Sequence, residues 1–142
     1  MEPTRVLVVA NRTAATPLLL DEVRRRAEAG PCRFTLLIPD ADVRSAGDWT
    51  LDIALPQLER AAGAPVHGLV GGPFPLESVY DALRAGDYDE VIVSTLRRRF
   101  SRWLHRDLPG RIRALGLPVT VVAPDGRVLD HRATASVFGS DQ

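Results

Sequence analysis

The chain has 142 residues, of which 45% are hydrophobic and 25% charged, a composition typical of one globular domain. Its 18 acidic and 18 basic residues cancel, which disfavours a globally basic nucleic-acid binder. Every basic residue is arginine, and the lack of lysine excludes Schiff-base catalysis and a Walker-type lysine. No apolar run approaches the roughly 20 residues that a membrane span needs.

The cysteine content bears on the cellular compartment. Cys32 is the single cysteine, so no disulfide within the chain is available, and this fits a reducing cytoplasm. The first residues, MEPTRVLVVANR, lack the basic segment and cleavage site of a secretory signal. We therefore expect a cytoplasmic protein, with Cys32 packed as an unreactive thiol beside a strand.

Five apolar, strand-like runs alternate with helical patterns along the chain. The strand-like runs cover residues 5–10, 33–38, 66–70, 90–94 and 117–122. The helical patterns cover residues 17–29, 48 or 50 to 62, 75–85 and 101–115, the last divided into a short turn and a helix that starts after Asp107. In the first helix, Arg24, Arg25 and Arg26 lie mainly opposite the apolar face and are expected to be solvated. This alternation predicts an α/β fold, a parallel sheet with helices on both faces joined by right-handed crossovers. Periodicity leaves the strand order open, because a 2-1-3-4-5 order would give much the same pattern.

Several residues predict where the helices begin, end or bend. Thr16 followed by Pro17 is typical of a helix start, and Gly30 of a helix end. Pro56 lies inside the second helical pattern and removes one backbone hydrogen bond, which predicts a kink or a restart. Asp107 precedes the last helical pattern and is predicted to cap it, since a carboxylate there accepts the free N–H groups.

The candidate binding site lies at the carboxyl ends of the predicted strands. Ligands of open α/β sheets bind beyond these ends, at the point where the strand order reverses. Polar or arginine side chains stand at or just after the ends of the first and fourth strands and can hydrogen-bond a ligand; that these two ends are neighbours is implied by the family resemblance given below. These residues are Asn11, Arg12, Thr13, Ser94, Thr95, Arg97, Arg98 and Arg99.

Charge is unevenly distributed around this site. Residues 40–90 contain ten acids and three arginines, whereas residues 97–113 contain seven arginines and one acid, Asp107. The arginines could form a site for a small anion or an acidic protein. The alternative is an ordinary solvated helix face, which such runs usually form. The acidic cluster of Asp87, Asp89 and Glu90, at the opposite edge, is predicted to be solvated surface.

Four segments together resemble the universal stress protein family: RVLVVANR, VGGPFPLESVYDAL, DYDEVIVST and SRWLHRDLPGRIRALGLPVTVV. The resemblance covers about residues 5–123. It implies one doubly wound, five-stranded parallel sheet in the order 3-2-1-4-5, a Rossmann-like three-layer sandwich of the adenine-nucleotide alpha-hydrolase-like kind. It also implies a homodimer formed by the fifth strands, and an ATP or AMP site in many members.

The chain departs from the family's nucleotide-binding motif. Ala10 and Asn11 stand where the family has an aspartate, and residues 96–99 replace glycines that let backbone N–H groups reach phosphate. Arg106 and Asp107 replace the closing Gly-Ser, and a fixed carboxylate there repels phosphate. Gly71 is the remaining family-based candidate, as a glycine that lets adenine approach.

The leading functional hypothesis is therefore a regulatory or interaction domain with lost or weakened nucleotide binding. The alternative is an ATP- or AMP-binding stress protein, conceivably a slow ATPase, in which Arg97, Arg98 and Arg99 contact the phosphates. No catalytic or metal-binding motif stands out, and His67, His105 and His131 are scattered along the chain.

Assembly is predicted from the fifth strand. Val119, Thr120, Val121 and Val122 form an uncharged run, and the family's strand order would leave them at an edge of the sheet. An uncovered apolar edge favours pairing, here with a second copy in antiparallel orientation. The alternative is that residues 124–142, otherwise read as a partly disordered tail after the domain of residues 1–123, cover this edge.

Overall fold

The computed structural model describes residues 2–10, 16–39, 46–72, 74–94, 108–122 and 128–130. The strands are β1 (Thr4–Ala10), β2 (Cys32–Ile38), β3 (His67–Val70), β4 (Glu90–Ser94), β5 (Val119–Val122) and β6 (Val128–Asp130). The helices of the described residues are α1 (Pro17–Ala29), α2 (Ala46–Ala62), α3 (Pro75–Ala85) and α4 (Leu108–Arg113).

The strands form one sheet in the order β3-β2-β1-β4-β5-β6. The first five strands run parallel in the order 3-2-1-4-5, which confirms the predicted α/β fold and excludes the 2-1-3-4-5 alternative. After β3 the chain returns to the other side of β1 and continues outward with β4. The strand order therefore reverses between β1 and β4.

The sixth strand corrects the premise of the predicted dimer contact. β6 pairs antiparallel with β5, with Val121 opposite Leu129 and Val122 opposite Val128. The run of residues 119–122 is therefore no free edge, and part of the predicted tail covers it. The remainder of that tail, residues 131–142, lies outside the described residues. The homodimer stays a prediction, but β6 already occupies the edge of β5 at which the two copies were predicted to pair.

Each face of the sheet has its own hydrophobic core. On one face, side chains such as Val8, Leu36 and Ile92 pack against α1 and α2. On the other, side chains such as Val9, Val93 and Val121 pack against α3 and α4. Strand residues alternate between the two cores because successive side chains of a strand point to opposite faces. The result is the three-layer arrangement predicted for the alternating pattern.

The helices lie near their predicted positions, but the residues predicted to start, end or interrupt them do not all act as predicted. α1 begins at Pro17, but the Thr16 side chain makes no capping hydrogen bond, and Gly30 adopts an extended conformation, with φ 174°, that any residue tolerates. α2 runs continuously from Ala46 to Ala62, so it begins earlier than predicted and does not restart at Pro56; a kink at Pro56 stays a prediction. α4 begins at Leu108, directly after Asp107, whose predicted cap lies outside the described residues.

Among the described residues, none of the helices combines the length and the apolar character that crossing a membrane requires.

Candidate functional site

The reversal of strand order brings two small residues side by side. Ala10 ends β1 and Ser94 ends β4, and the two are register partners in the sheet. Both are almost fully buried, at 0% and 2% exposure. Ligands of open α/β sheets bind just beyond such strand ends. These two buried side chains, on the face of the sheet that packs against α1, mark the strand ends beyond which the crevice is predicted.

Most of the predicted site follows these strand ends and lies outside the described residues: Asn11, Arg12, Thr13, Thr95, Arg97, Arg98, Arg99 and Asp107. Their places in the chain, directly after β1, directly after β4 and directly before α4, are the predicted ones. Of the candidates, the structure describes Ser94 and Gly71.

Gly71 serves packing at the end of β3. Its N–H group donates a hydrogen bond of 2.8 Å to the carbonyl oxygen of Ile38, which continues the pairing of β3 with β2. A Cβ atom on Gly71 would lie 2.5 Å from Oγ and 2.6 Å from Cβ of Ser78, closer than real contacts allow. Ser78 is buried and donates a weak hydrogen bond, 3.4 Å long, to the carbonyl of Gly72. The N–H group of Gly71 is thus already bonded to Ile38, and the space beside its Cα atom is filled by Ser78.

A buried charged network joins α1 to β4 and β5, and the sequence did not predict it. Arg26 donates 2.8 Å to Glu22 and 2.6 Å to the hydroxyl of Thr120, and it also forms an ion pair with Glu90. The Glu22 side chain is 3% exposed and that of Arg26 is 16% exposed. Arg25, largely exposed, also donates to Glu22. Arg26 is therefore no solvated helix residue, and Thr120 faces α1.

The signal for this network was present in the strands. Glu90 and Thr120 are polar residues within otherwise apolar runs, on the face of the sheet that packs against α1. A buried polar group needs a hydrogen-bonding partner, and the arginines of α1 are the nearest donors on that face.

The acidic residues before β4 are engaged at the amino edge of the sheet. Asp89 accepts a 2.8 Å hydrogen bond from the backbone N–H group of Arg5, and Asp87 lies 3.6 Å from the Arg5 guanidinium. These contacts tie β1 to the chain segment that enters β4. Asp87 and Asp89 are exposed, as the prediction of a solvated acidic cluster expects, whereas Glu90 is partly buried and paired with Arg26, which corrects that prediction for Glu90.

Cys32 is a poor nucleophile in this position. Its thiol donates a weak hydrogen bond to the backbone carbonyl of Arg26, with Sγ and O separated by 3.5 Å. Burial raises the pKa of the Cys32 thiol, and the nearby charge of Arg26 opposes that shift only in part. The raised pKa disfavours the thiolate at neutral pH, in line with the predicted unreactive thiol, although Cys32 is partly exposed rather than buried.

Two adjoining cavities lie at the amino edge of the sheet, opposite the predicted crevice. The larger, about 720 Å³, has mainly apolar walls that include Phe34, Pro65 and Val66. The smaller, about 200 Å³, is bordered by Arg5, Asp87 and Tyr88. Arg33 and Thr35 of β2 line both cavities.

Within the described residues, histidine, cysteine and carboxylate side chains form no cluster of three or more that could hold a metal ion. In the described part of the predicted crevice, Ser94 provides a hydroxyl group at the end of β4, and no acid–base pair is present.

Comparison with known proteins leaves the family open. No protein-family model matches the chain, and no curated protein matches its sequence. The fold is that of a Rossmann-like α/β domain, whereas the resemblance to universal stress proteins stays a prediction.

Proposed function

We propose that this chain is a regulatory or interaction domain, similar to universal stress proteins, in which nucleotide binding at the crevice is lost or weakened. The observation that supports it best is Gly71. A glycine that serves a nucleotide offers a free N–H group or open space beside its Cα atom. The N–H group of Gly71 is bonded to Ile38 and its open side is filled by Ser78.

The sequence after the two strands supports the same proposal. No acidic residue follows β1 directly, and the residues after β4 are Thr95, Leu96 and three arginines in place of glycines. Long side chains replace the backbone donors that would otherwise contact phosphate. Signalling through such a domain would depend on protein contacts or on a ligand other than a nucleoside triphosphate.

Isothermal titration calorimetry with ATP and AMP at low ionic strength tests the proposal. We expect no saturable binding of either nucleotide at the crevice. Micromolar binding that Thr95→Arg abolishes would overturn the proposal, because that substitution places a bulky side chain directly after β4. It would favour the alternative of an ATP- or AMP-binding stress protein, in which replacing Arg97, Arg98 and Arg99 by glutamine also abolishes binding.

A matched control separates the two edges of the sheet. Arg33→Gln alters the amino edge and leaves the carboxyl ends of β1 and β4 unchanged. Nucleotide binding that survives Thr95→Arg but is lost in Arg33→Gln belongs to the amino edge and leaves the proposal for the crevice intact.

A further inference from the structure

The amino edge of the sheet places two arginines side by side. Arg5 of β1 and Arg33 of β2 are register partners, and neighbouring strands lie about 4.8 Å apart. Their side chains emerge on the same face, the face of α3, because Leu7 and Leu37 of the same two strands both belong to that core. Like charges directly opposite each other on neighbouring strands are destabilising unless anions compensate them.

The protein compensates only one of these charges. Arg5 lies 3.6 Å from the carboxylate of Asp87, and its backbone is bonded to Asp89. The exposed Arg33 has no hydrogen-bond or ion-pair partner among the described residues. A planar guanidinium group with free donors matches the geometry of a carboxylate or phosphate group.

The cavities supply the rest of a binding site. Arg33 and Thr35 line both the small cavity with Arg5 and Tyr88 and the large cavity with Phe34 and Val66. The large cavity exists because β3 begins at His67, opposite Thr35, so no described strand lies outside residues 32–34. A charged group in the small cavity would therefore adjoin an apolar space of about 720 Å³.

We propose that this groove binds a small organic oxyanion, a carboxylate or phosphate with a flat apolar body. Arg33 contacts the anionic group, with Arg5 and the Thr35 hydroxyl beside it, and the apolar body occupies the larger cavity. The site lies at the opposite edge of the sheet from the nucleotide crevice. It is therefore independent of the function proposed above.

Phenyl phosphate, benzoate, inorganic phosphate and phenol are the probes for this site. Amide chemical shifts of the full chain are followed by NMR during titration with each of them. We expect phenyl phosphate or benzoate to shift the amide signals of residues 33–35, 67 and 88 saturably. Inorganic phosphate should bind at least about tenfold more weakly, because it lacks the apolar body. Phenol should not bind, because it lacks the anionic group.

Two substitutions in opposite directions sharpen the test. Arg33→Gln should raise the Kd of the aromatic anion about tenfold or more, because it removes the uncompensated charge. Asp87→Asn should lower it severalfold, because it removes the carboxylate that competes for Arg5. Both positions are exposed, so neither substitution should unfold the protein, and unchanged thermal unfolding verifies this.

Arg24→Gln is the matched control. Arg24 is an exposed arginine of α1 that pairs with Asp21, and its loss should leave the Kd unchanged. The proposal is overturned if neither aromatic anion gives saturable shifts at these residues. It is equally overturned if Arg33→Gln and Arg24→Gln have the same effect, which would indicate nonspecific attraction to arginine.

Discussion

The face of the sheet that packs against α1 contains buried charge, whereas the face that packs against α3 and α4 has no buried charged side chain among the described residues. On the first, Glu22 and Arg26 meet Glu90 and Thr120 beneath the helix. On the second, leucine, isoleucine and valine side chains meet one another. Apolar packing is non-directional, but hydrogen-bonded charges accept one arrangement of partners. Both faces have an apolar core that stabilises the fold, and we infer that the charged network additionally fixes the position of α1.

The largest expected effect is on the apolar face. Ile112 of α4 is fully buried, so Ile112→Ala removes buried methyl groups and leaves a cavity. We expect a loss of roughly 2 to 5 kcal/mol in the free energy of unfolding, measured by urea titration. Ile112→Val should lose only about 0.5 to 1.5 kcal/mol, since less volume is removed. Equal effects of the two variants would mean that this core does not pack closely around Ile112.

Arg26→Met should have the next largest effect, a loss of about 3 kcal/mol in the free energy of unfolding. It leaves Glu90 without its cation and Glu22 with Arg25 alone, and breaking a buried ion pair from one side costs about 3 to 5 kcal/mol. The partial exposure of Arg26 and Glu90, 16% and 19%, places the effect at the lower end. Arg24→Met, on the exposed side of the same helix, should cost less than about 0.5 kcal/mol.

A triple variant distinguishes stability from positioning. Replacing Glu22 by leucine, Arg26 by methionine and Glu90 by valine removes the three buried or partly buried charges and leaves Arg25, which is largely exposed. We expect the triple variant to be more stable than Arg26→Met alone, because no uncompensated buried charge remains. If the charged network fixes the position of α1, the NMR signals of α1 should broaden in this variant. Sharp, wild-type-like signals would show that apolar packing alone positions the helix.

Gly71→Ala should destabilise by about 1 to 3 kcal/mol through overpacking against Ser78. Ser78→Ala should not relieve the clash, because the Cβ atom of Ser78 remains 2.6 Å from the new methyl group. Ser78→Gly removes that atom and should recover part of the loss. A double-mutant cycle on unfolding free energies measures the coupling. An absence of coupling would disprove the packing role of Gly71 and reopen its role toward a ligand.

The smallest effect concerns reactivity. Because the pKa of Cys32 is raised by burial, the thiolate is scarce at neutral pH. Iodoacetamide should therefore alkylate the native protein more slowly than the urea-unfolded protein at pH 8, and the native rate should keep rising to a higher pH. A native rate equal to that of the unfolded chain would mean that the thiol is not shielded by the end of α1.

The sequence predicted the sheet well because its strands are apolar runs with clear ends. The runs at residues 5–10 and 90–94 have this character, since both of their faces are covered. The order 3-2-1-4-5 came from the family resemblance. Val128–Asp130 was missed as a strand because three residues carry no periodicity.

The electrostatic features depend on contacts between residues far apart in the chain. From the sequence Arg26 is one of three arginines on a solvated helix face, and only the fold brings it to Thr120, 94 residues away, where it is partly buried. The pairing of Arg5 with Arg33 likewise requires the strand register. Local pattern therefore located the strand ends, but could not predict which charged groups are compensated.

The shortness of β6 bears on how firmly the edge of β5 stays covered. β6 pairs only three residues with β5, and short strands at the rim of a sheet open locally at little cost in free energy. When Val128–Asp130 detaches, the uncharged edge of residues 119–122 loses its antiparallel partner. Exposed edges of this kind recruit other chains. A chain truncated before Val128 would therefore present an aggregation-prone edge.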